Sequence, residues 1–233
     1  MRRTPSFRSF WNPIGKSNSM LDEIFSRYIN LVRKAEYLFN AIRERYPLRV
    51  RCRIHCCDCC YAVFGVFPVE AAYLNRRFNE LEEGVKREVF RRVEKAEAEM
   101  LRARDRLQVF DDRPQMKIYG LGKQRVRCPF LSDRDECVFY EARPIMCRIY
   151  GVPFSLKAGE KEQVFVCPVS DFQEKVTYPA VKLDKIYGEL LELSRELLTT
   201  AGSAHPERAA FMLPLSRVLR LSCEAIIKGD FVE

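Results

Sequence analysis

The sequence predicts a mainly α-helical protein, its helices packed around two irregular, cysteine-bearing segments with a few short strands. Three observations point there. Apolar residues recur at three- and four-residue steps through several separate stretches. Most cysteines fall where that period breaks, at residues 52–60 and 128–167. With 233 residues, 47% of them hydrophobic, the chain is long enough to bury an apolar core without covalent staples.

Residues 1–18 read as a flexible lead-in, with Pro5, Pro13 and Gly15 as breakers. Residues 19–233 read as one domain, with an expected metal-site core over 46–170 and C-terminal helices over 180–228. Ser17, Asn18 and Ser19 offer N-cap chemistry, and Asp22 and Glu23 suit a first helical turn. Leu21, Ile24, Phe25, Tyr28, Ile29, Val32, Ala35, Phe39 and Ile42 then trace one face of a long helix that ends near Arg45, before Pro47. Pro68 opens a second helix running to about Leu81. A third starts past Gly84, follows Val85, Val89, Val93, Ala96, Met100 and Leu107, and stops near Phe110, ahead of a turn at 111–114. Between 115 and 170 the candidate strands are 138–140, 149–150 and 163–166. Helices are expected again over about 180–200 and 206–228, jointed at 201–205.

Ten cysteines require a physical account. Five of them lie between Cys52 and Cys60, where neighbours cannot easily reach the ~4.4–6.8 Å Cα separation of a disulfide with converging side chains. Residues 1–11 lack the apolar stretch expected of a secretory signal, and no apolar run approaches the ~18 residues of a membrane span. The expected compartment is therefore the cytoplasm, where tightly spaced thiols bind metal. Thiolates select zinc, copper(I) or iron–sulfur clusters, whereas calcium and magnesium prefer oxygen. The formal charge of +8 is interleaved with acids along most of the chain, as on a solvated helix face. Only Arg43, Arg45, Arg49, Arg51 and Arg53 crowd together. That patch disfavours nothing, yet nucleic acid is not the expected partner; a protein redox or substrate partner is.

The first cluster reads Cys52-x3-Cys56-x2-Cys59-Cys60, and the second Cys128-Pro-Phe130-Leu131, Cys137, Tyr140-x2-Arg143-Pro144, Cys147-Arg148 and Cys167. Together they resemble the YkgJ-type cysteine-cluster proteins, which are associated with zinc or iron chelation. The resemblance spans roughly Cys52 to Cys167 and says little about 1–45 and 180–233. It implies a metal site built from Cys52, Cys56, Cys59, Cys60, Cys128, Cys137, Cys147 and Cys167. Cys57 is not part of the pattern.

Zinc or a simple cubane cluster takes four thiolates, so eight suit two sites, or one site with spare thiols. Cys59 and Cys60, being adjacent, are expected to point apart. An iron–sulfur cluster, [4Fe–4S] by preference, is favoured over zinc because structural zinc sites draw on paired C-x2-4-C knuckles and the second box has none. Metal–thiolate bonds would then hold the irregular segments. Arg143 and Arg148, and less specifically Arg51, Arg53 and Arg127, are placed to offset the negative charge of such a centre from behind its ligands. His55 reads as a neighbour of the thiols, His205 as a helix-start residue, and Cys223 as a buried small hydrophobe.

The expected function is a metal-binding module, redox or metal-carrying or structural. The alternative is a cluster-dependent enzyme related to S-adenosylmethionine-using protein methylation. Cys52-x3-Cys56-x2-Cys59 matches the cluster spacing of radical S-adenosylmethionine enzymes, and flagellin lysine methylases carry a similar cluster. Against it, Asp58 stands where an aromatic is usual, and neither a partial-barrel pattern nor a Gly-rich loop follows.

Overall fold

The computed structural model describes residues 19–53, 55–107, 120, 123–158, 161–173 and 176–231. The expected lead-in at 1–18 and the turn at 111–114 lie outside the described residues. Helix α1 (Ser19–Arg45) buries Ile24, Tyr28, Leu31 and Ala35 on one stripe, as the helical period requires. Facing it, α5 (Leu183–Thr200) buries Ile186, Leu190, Leu193 and Leu197. Exposed pairs Arg27–Glu196 (2.7 Å) and Lys34–Glu189 (2.5 Å) flank the seam; such pairs add at most about 1 kcal/mol each, so the apolar stripe holds the two helices together.

Helix α2 (Pro68–Asn79) packs against both helices, buried along most of its length. Pro68 occupies its first turn, where the missing N–H costs nothing. Two buried side chains fix its place. Val69 N–H donates to Ser194 Oγ of α5 at 3.2 Å, and Asn75 Nδ2 donates to the carbonyls of Val218 (3.0 Å) and Leu221 (2.8 Å). Helix α3 (Glu83–Arg106) buries only Val89, Val93, Ala96 and Ala103, leaving its charged faces in solvent.

The expected strands are mostly corrected. Residues 138–140 form a turn leading into the 3-10 segment Tyr140–Ala142, and 149–150 close the short helix α4 (Ile145–Ile149) that Pro144 starts. Pro144 caps a helix because its φ is already helical and it needs no hydrogen bond there. The third expectation holds: β3 (Lys161–Phe165) pairs antiparallel with β2 (Phe154–Ala158), Phe154 opposite Phe165. Strand β4 (Val181–Lys182) adds in parallel on the other side of β2.

The helix expected over 206–228 is broken into pieces. It divides into a 3-10 segment (Pro206–Ala210), strand β5 (Leu213–Pro214), α6 (Leu215–Arg220) and α7 (Cys223–Lys228). Pro214 forces an extended break, and Ser222 restarts the helix by accepting the Ala225 N–H at 3.0 Å. Strand β5 pairs with β1 (Gly65–Val66). Only glycine permits that approach: a Cβ at Gly65 would lie 2.7 Å from the Met212 Cβ.

One buried carboxylate joins α1, α2 and α4. Glu70, 3% exposed, accepts from the N–H of Ile145 (3.0 Å), the N–H of Phe67 (3.4 Å) and the Tyr28 hydroxyl (3.5 Å). Desolvation outweighs those partners and raises its pKa from 4.5 to about 7. A carboxyl whose folded pKa is raised favours the protonated folded state. Its stabilising contribution is therefore complete below pH 4.5 and is lost as pH rises through about 7, a swing on the order of 3 kcal/mol. Urea melts between pH 4.5 and 8 should show that decline in the native chain, and Glu70→Gln should flatten it. An identical slope in the variant would assign the pH dependence elsewhere.

Candidate metal centre

The first cysteine segment folds as a short loop and a single 3-10 turn. Cys56 N–H bonds to Arg53 O at 3.0 Å, and His55 takes a left-handed φ of 66° between them. Cys60 N–H bonds back to Cys57 O at 2.9 Å across the turn Asp58–Tyr61. The second segment is stapled to the first by backbone: Cys128 N–H donates to Cys60 O (2.7 Å) and Val126 N–H to Tyr61 O (3.1 Å). Beyond it, Ser132 Oγ accepts from the N–H groups of Arg134 and Glu136, both at 3.2 Å. That turn brings Cys137 into a bridge with Leu131. Cys147 arrives on α4, whose first turn Glu70 holds, and Cys167 follows β3. The irregular segments thus carry hydrogen bonds of their own, to which metal–thiolate bonds would add.

These segments enclose a cavity of about 300 Å³. Six of the eight expected ligands line it: Cys56, Cys59, Cys60, Cys128, Cys137 and Cys147, together with Cys57. Inside, the Cys59 thiolate takes hydrogen bonds from Cys147 and from Cys60 and is held well below the ordinary thiol pKa. Cys60 is pushed far up, chiefly by its hydrogen bonds with Cys128 and Cys137. Cys137 is lowered by the bond from Cys60, and Cys147 is raised by the proton it gives to Cys59. Cys59 and Cys60, adjacent in the 3-10 turn, both line the cavity.

Cys52 and Cys167 sit to one side of the cavity. The Cys52 thiol is pushed up to about 12, first by desolvation and then by the fields of Cys56, Cys167 and Cys59. It rests against Gly151, just past α4, where an added Cβ would overlap the sulfur and crowd the Phe39 ring at 3.3 Å. The Cys167 thiol reaches Asp58 Oδ2 at 3.6 Å. All ten cysteines are free. Among the described residues, no three His, Cys, Asp or Glu side chains are already grouped as ligands of one ion. The donor set is soft sulfur in an apolar wall, which fits zinc or iron.

The arginines divide by position. Arg143 lines the cavity, stacks 3.6 Å from the Tyr140 ring centre, and lies near enough to Cys59 and Cys137 to favour their thiolates. Arg148 is buried and spends its donors on Arg143 O (2.8 Å), Glu141 O (2.6 Å) and the Glu36 carboxylate, bracing the loop that presents Arg143. Arg127 clamps the Ser132 turn through its carbonyl at 2.7 Å. Arg51 pairs with Asp171, and Arg53 lines the cavity mouth with His55. Cys223 packs on the apolar core and is raised by burial, and His205 precedes the 3-10 segment at Pro206.

The family model of the CxxCxxCC domain, described as "putative zinc- or iron-chelating domain", matches residues 51–168, just over half of the 233-residue chain. The chain belongs to the CxxCxxCC family. Neither the comparison with curated proteins nor that with solved structures found a match. The CxxCxxCC match begins one residue before Cys52 and ends one residue after Cys167, so it encloses both cysteine boxes and stops ahead of the C-terminal helices. Among the described residues no helix is long and apolar enough to cross a membrane.

Sequence reasoning passed over three residues that shape the site. The sequence pattern assigns no role to Glu70 or Gly151 and marks Asp58 only as a departure from an aromatic. An acid inside an otherwise apolar stretch, Val69 to Ala72, was the available sign for Glu70. Gly151→Ala is expected to push Cys52 off its seat and cost on the order of 1–3 kcal/mol in denaturant melts. Adding Cys52→Ser should recover part of that loss; a fully additive pair would separate the two positions.

Proposed function

We propose that this CxxCxxCC chain is a redox or metal-carrying module in which Cys52, Cys56, Cys59, Cys60, Cys128, Cys137, Cys147 and Cys167 hold iron–sulfur or zinc, with iron–sulfur preferred. One observation supports the reading: six expected ligand thiols from three separate stretches, Cys56, Cys59, Cys60, Cys128, Cys137 and Cys147, line a single cavity. Thiols so buried and so close are costly unless something shares them, and a soft metal replaces those protons with bonds.

Two features favour metal chemistry over a purely structural staple. The apolar core of α1, α2 and α5 is complete without the cysteine segments' sulfur, so the fold has no need of a metal in the way a miniprotein does. The cavity of about 300 Å³ is also roomy for one ion and walled by Phe130, Leu131 and Phe139, a setting that lowers the local dielectric and lets a nearby cation such as Arg143 act strongly. When bound, an iron–sulfur group would supply one-electron chemistry. The chain's own part is to gather thiolates, exclude water with the aromatic wall and offset their charge with Arg143.

Protein purified without oxygen should be brown, with broad visible absorption and matching iron and sulfide. A colourless, zinc-rich preparation would move the assignment to zinc, and a metal-free one would contradict the proposal. Cys59→Ser and Cys147→Ser should each lose most bound metal while keeping the helical far-ultraviolet signal. Cys223→Ser should leave metal content unchanged; equal loss there would show that the ligand set is wrong.

A further inference from the structure

We propose that the arginine-rich segment 43–53, at the C-terminal end of α1, is a docking face for an acidic surface of a partner protein, seated beside Cys52. This deepens the redox or metal-carrying reading and rests on it for the purpose of the contact. The segment carries Arg43, Arg45, Arg49, Arg51 and Arg53 against a single acid, Glu44. Among the described residues, Arg43, Arg45 and Arg53 are exposed and pair with no carboxylate. Exposed arginines elsewhere, such as Arg27, Arg91 and Arg195, each hold one.

The patch is fixed in place. The guanidinium carbon of Arg43 lies 5.6 Å from the Phe39 ring centre, and that of Arg45 lies 5.5 Å from the Tyr46 ring centre. Tyr46 in turn sits edge-on to Tyr178 at 5.3 Å and to Phe172 at 6.3 Å. Asp171 N–H donates to Arg49 O at 2.9 Å, Arg49 Nη1 donates to Asp171 O at 3.1 Å, and Arg51 takes the Asp171 carboxylate. The face also reaches the site. The Phe39 ring under Arg43 lies 3.3 Å from where a Cβ on Gly151 would stand, the place that the Cys52 sulfur crowds. Arg51 and Arg53 flank Cys52 in the chain, and Arg53 lines the cavity mouth.

Two features choose a protein over a nucleic acid. Leu48, 82% exposed, stands among the cations, and an apolar anchor with arginines around it is the composition of a protein interface. Glu44 and Asp171 lie within the patch, where a phosphate backbone would be repelled and a folded partner can answer them with a cation. The negative end of the α1 dipole accounts for Arg43 and Arg45, but not for Arg53 or an exposed leucine. Complementary charge speeds encounter, and docking here leaves the partner next to Cys52, itself exposed.

Binding of a fluorescent glutamate-rich peptide bearing one phenylalanine to the full chain, followed by anisotropy at low salt, tests this. The native chain should bind it, less tightly as salt rises, and hydrogen exchange should slow at residues 43–53. Arg43→Glu with Arg45→Glu should weaken binding at least about tenfold with metal content unchanged, and Leu48→Ser should weaken it by a smaller factor. Arg91→Glu with Arg195→Glu, the same change in net charge on exposed residues of α3 and α5, should leave it nearly as tight. Equal loss in the two double variants, equal binding of a glutamine-for-glutamate peptide, or tighter binding of single-stranded DNA of the same charge would overturn the docking face. If the double reversal unfolds the chain, Arg45→Gln and the exchange pattern decide in its place. A native chain that holds no metal yet binds the peptide at this face would overturn the metal-binding reading alone.

Discussion

A two-bond backbone staple holds this site together. Cys60 and Tyr61 offer their carbonyls to the N–H groups of Cys128 and Val126 at 2.7 and 3.1 Å, and that contact brings two cysteine boxes, distant in sequence, edge to edge. Backbone pairing is indifferent to side-chain identity, which frees the cysteines on either side to turn inward. Without it, Cys60 would lose Cys128 and Cys137 as its companions on the cavity wall.

The helical scaffold adds the third and fourth approaches. Glu70 lies at the crossing of α1, α2 and α4 and carries the first turn of the helix that presents Cys147. Arg148, one residue on, turns away from the thiols and ties its loop to α1 through Glu36. The site is therefore organised from behind: a buried carboxylate and a buried guanidinium fix the backbone, and the sulfurs meet where that backbone leaves room. Gly151 marks how little room there is, since even one methyl group there collides with Cys52. Placing precise demands on backbone and loose ones on thiol rotamers suits a site that must exchange protons for metal.

The long helices were legible because each buries residues along one face: Ile24 to Ile42 in α1 and Val89, Val93, Ala96 and Ala103 in α3 recur at the helical period. The breaks were harder. Residues 206–228 keep enough apolar residues to look like one helix, yet Pro214 and Ser222 each impose a local preference that interrupts it. The aromatic and β-branched residues at 138–140 read as strand, but Phe139 stacks on Phe130 at 4.5 Å inside the turn instead of extending. In the site, the box spacing located the cysteines, because ligand order is a property of sequence. Which thiols touch is a property of packing, and no spacing rule could place Cys52 beside Gly151 or Cys167 beside Asp58. The same holds for Arg143 and Arg148, equal neighbours of the box in sequence, of which one faces the cavity and the other the protein interior.

The account stands on sulfur from separate stretches of chain sharing an inorganic centre, and X-ray absorption at the metal edge of the loaded protein tests that most directly. A first shell dominated by sulfur, at about 2.3 Å if the metal is zinc, is the predicted result. A shell made of nitrogen and oxygen alone would contradict it.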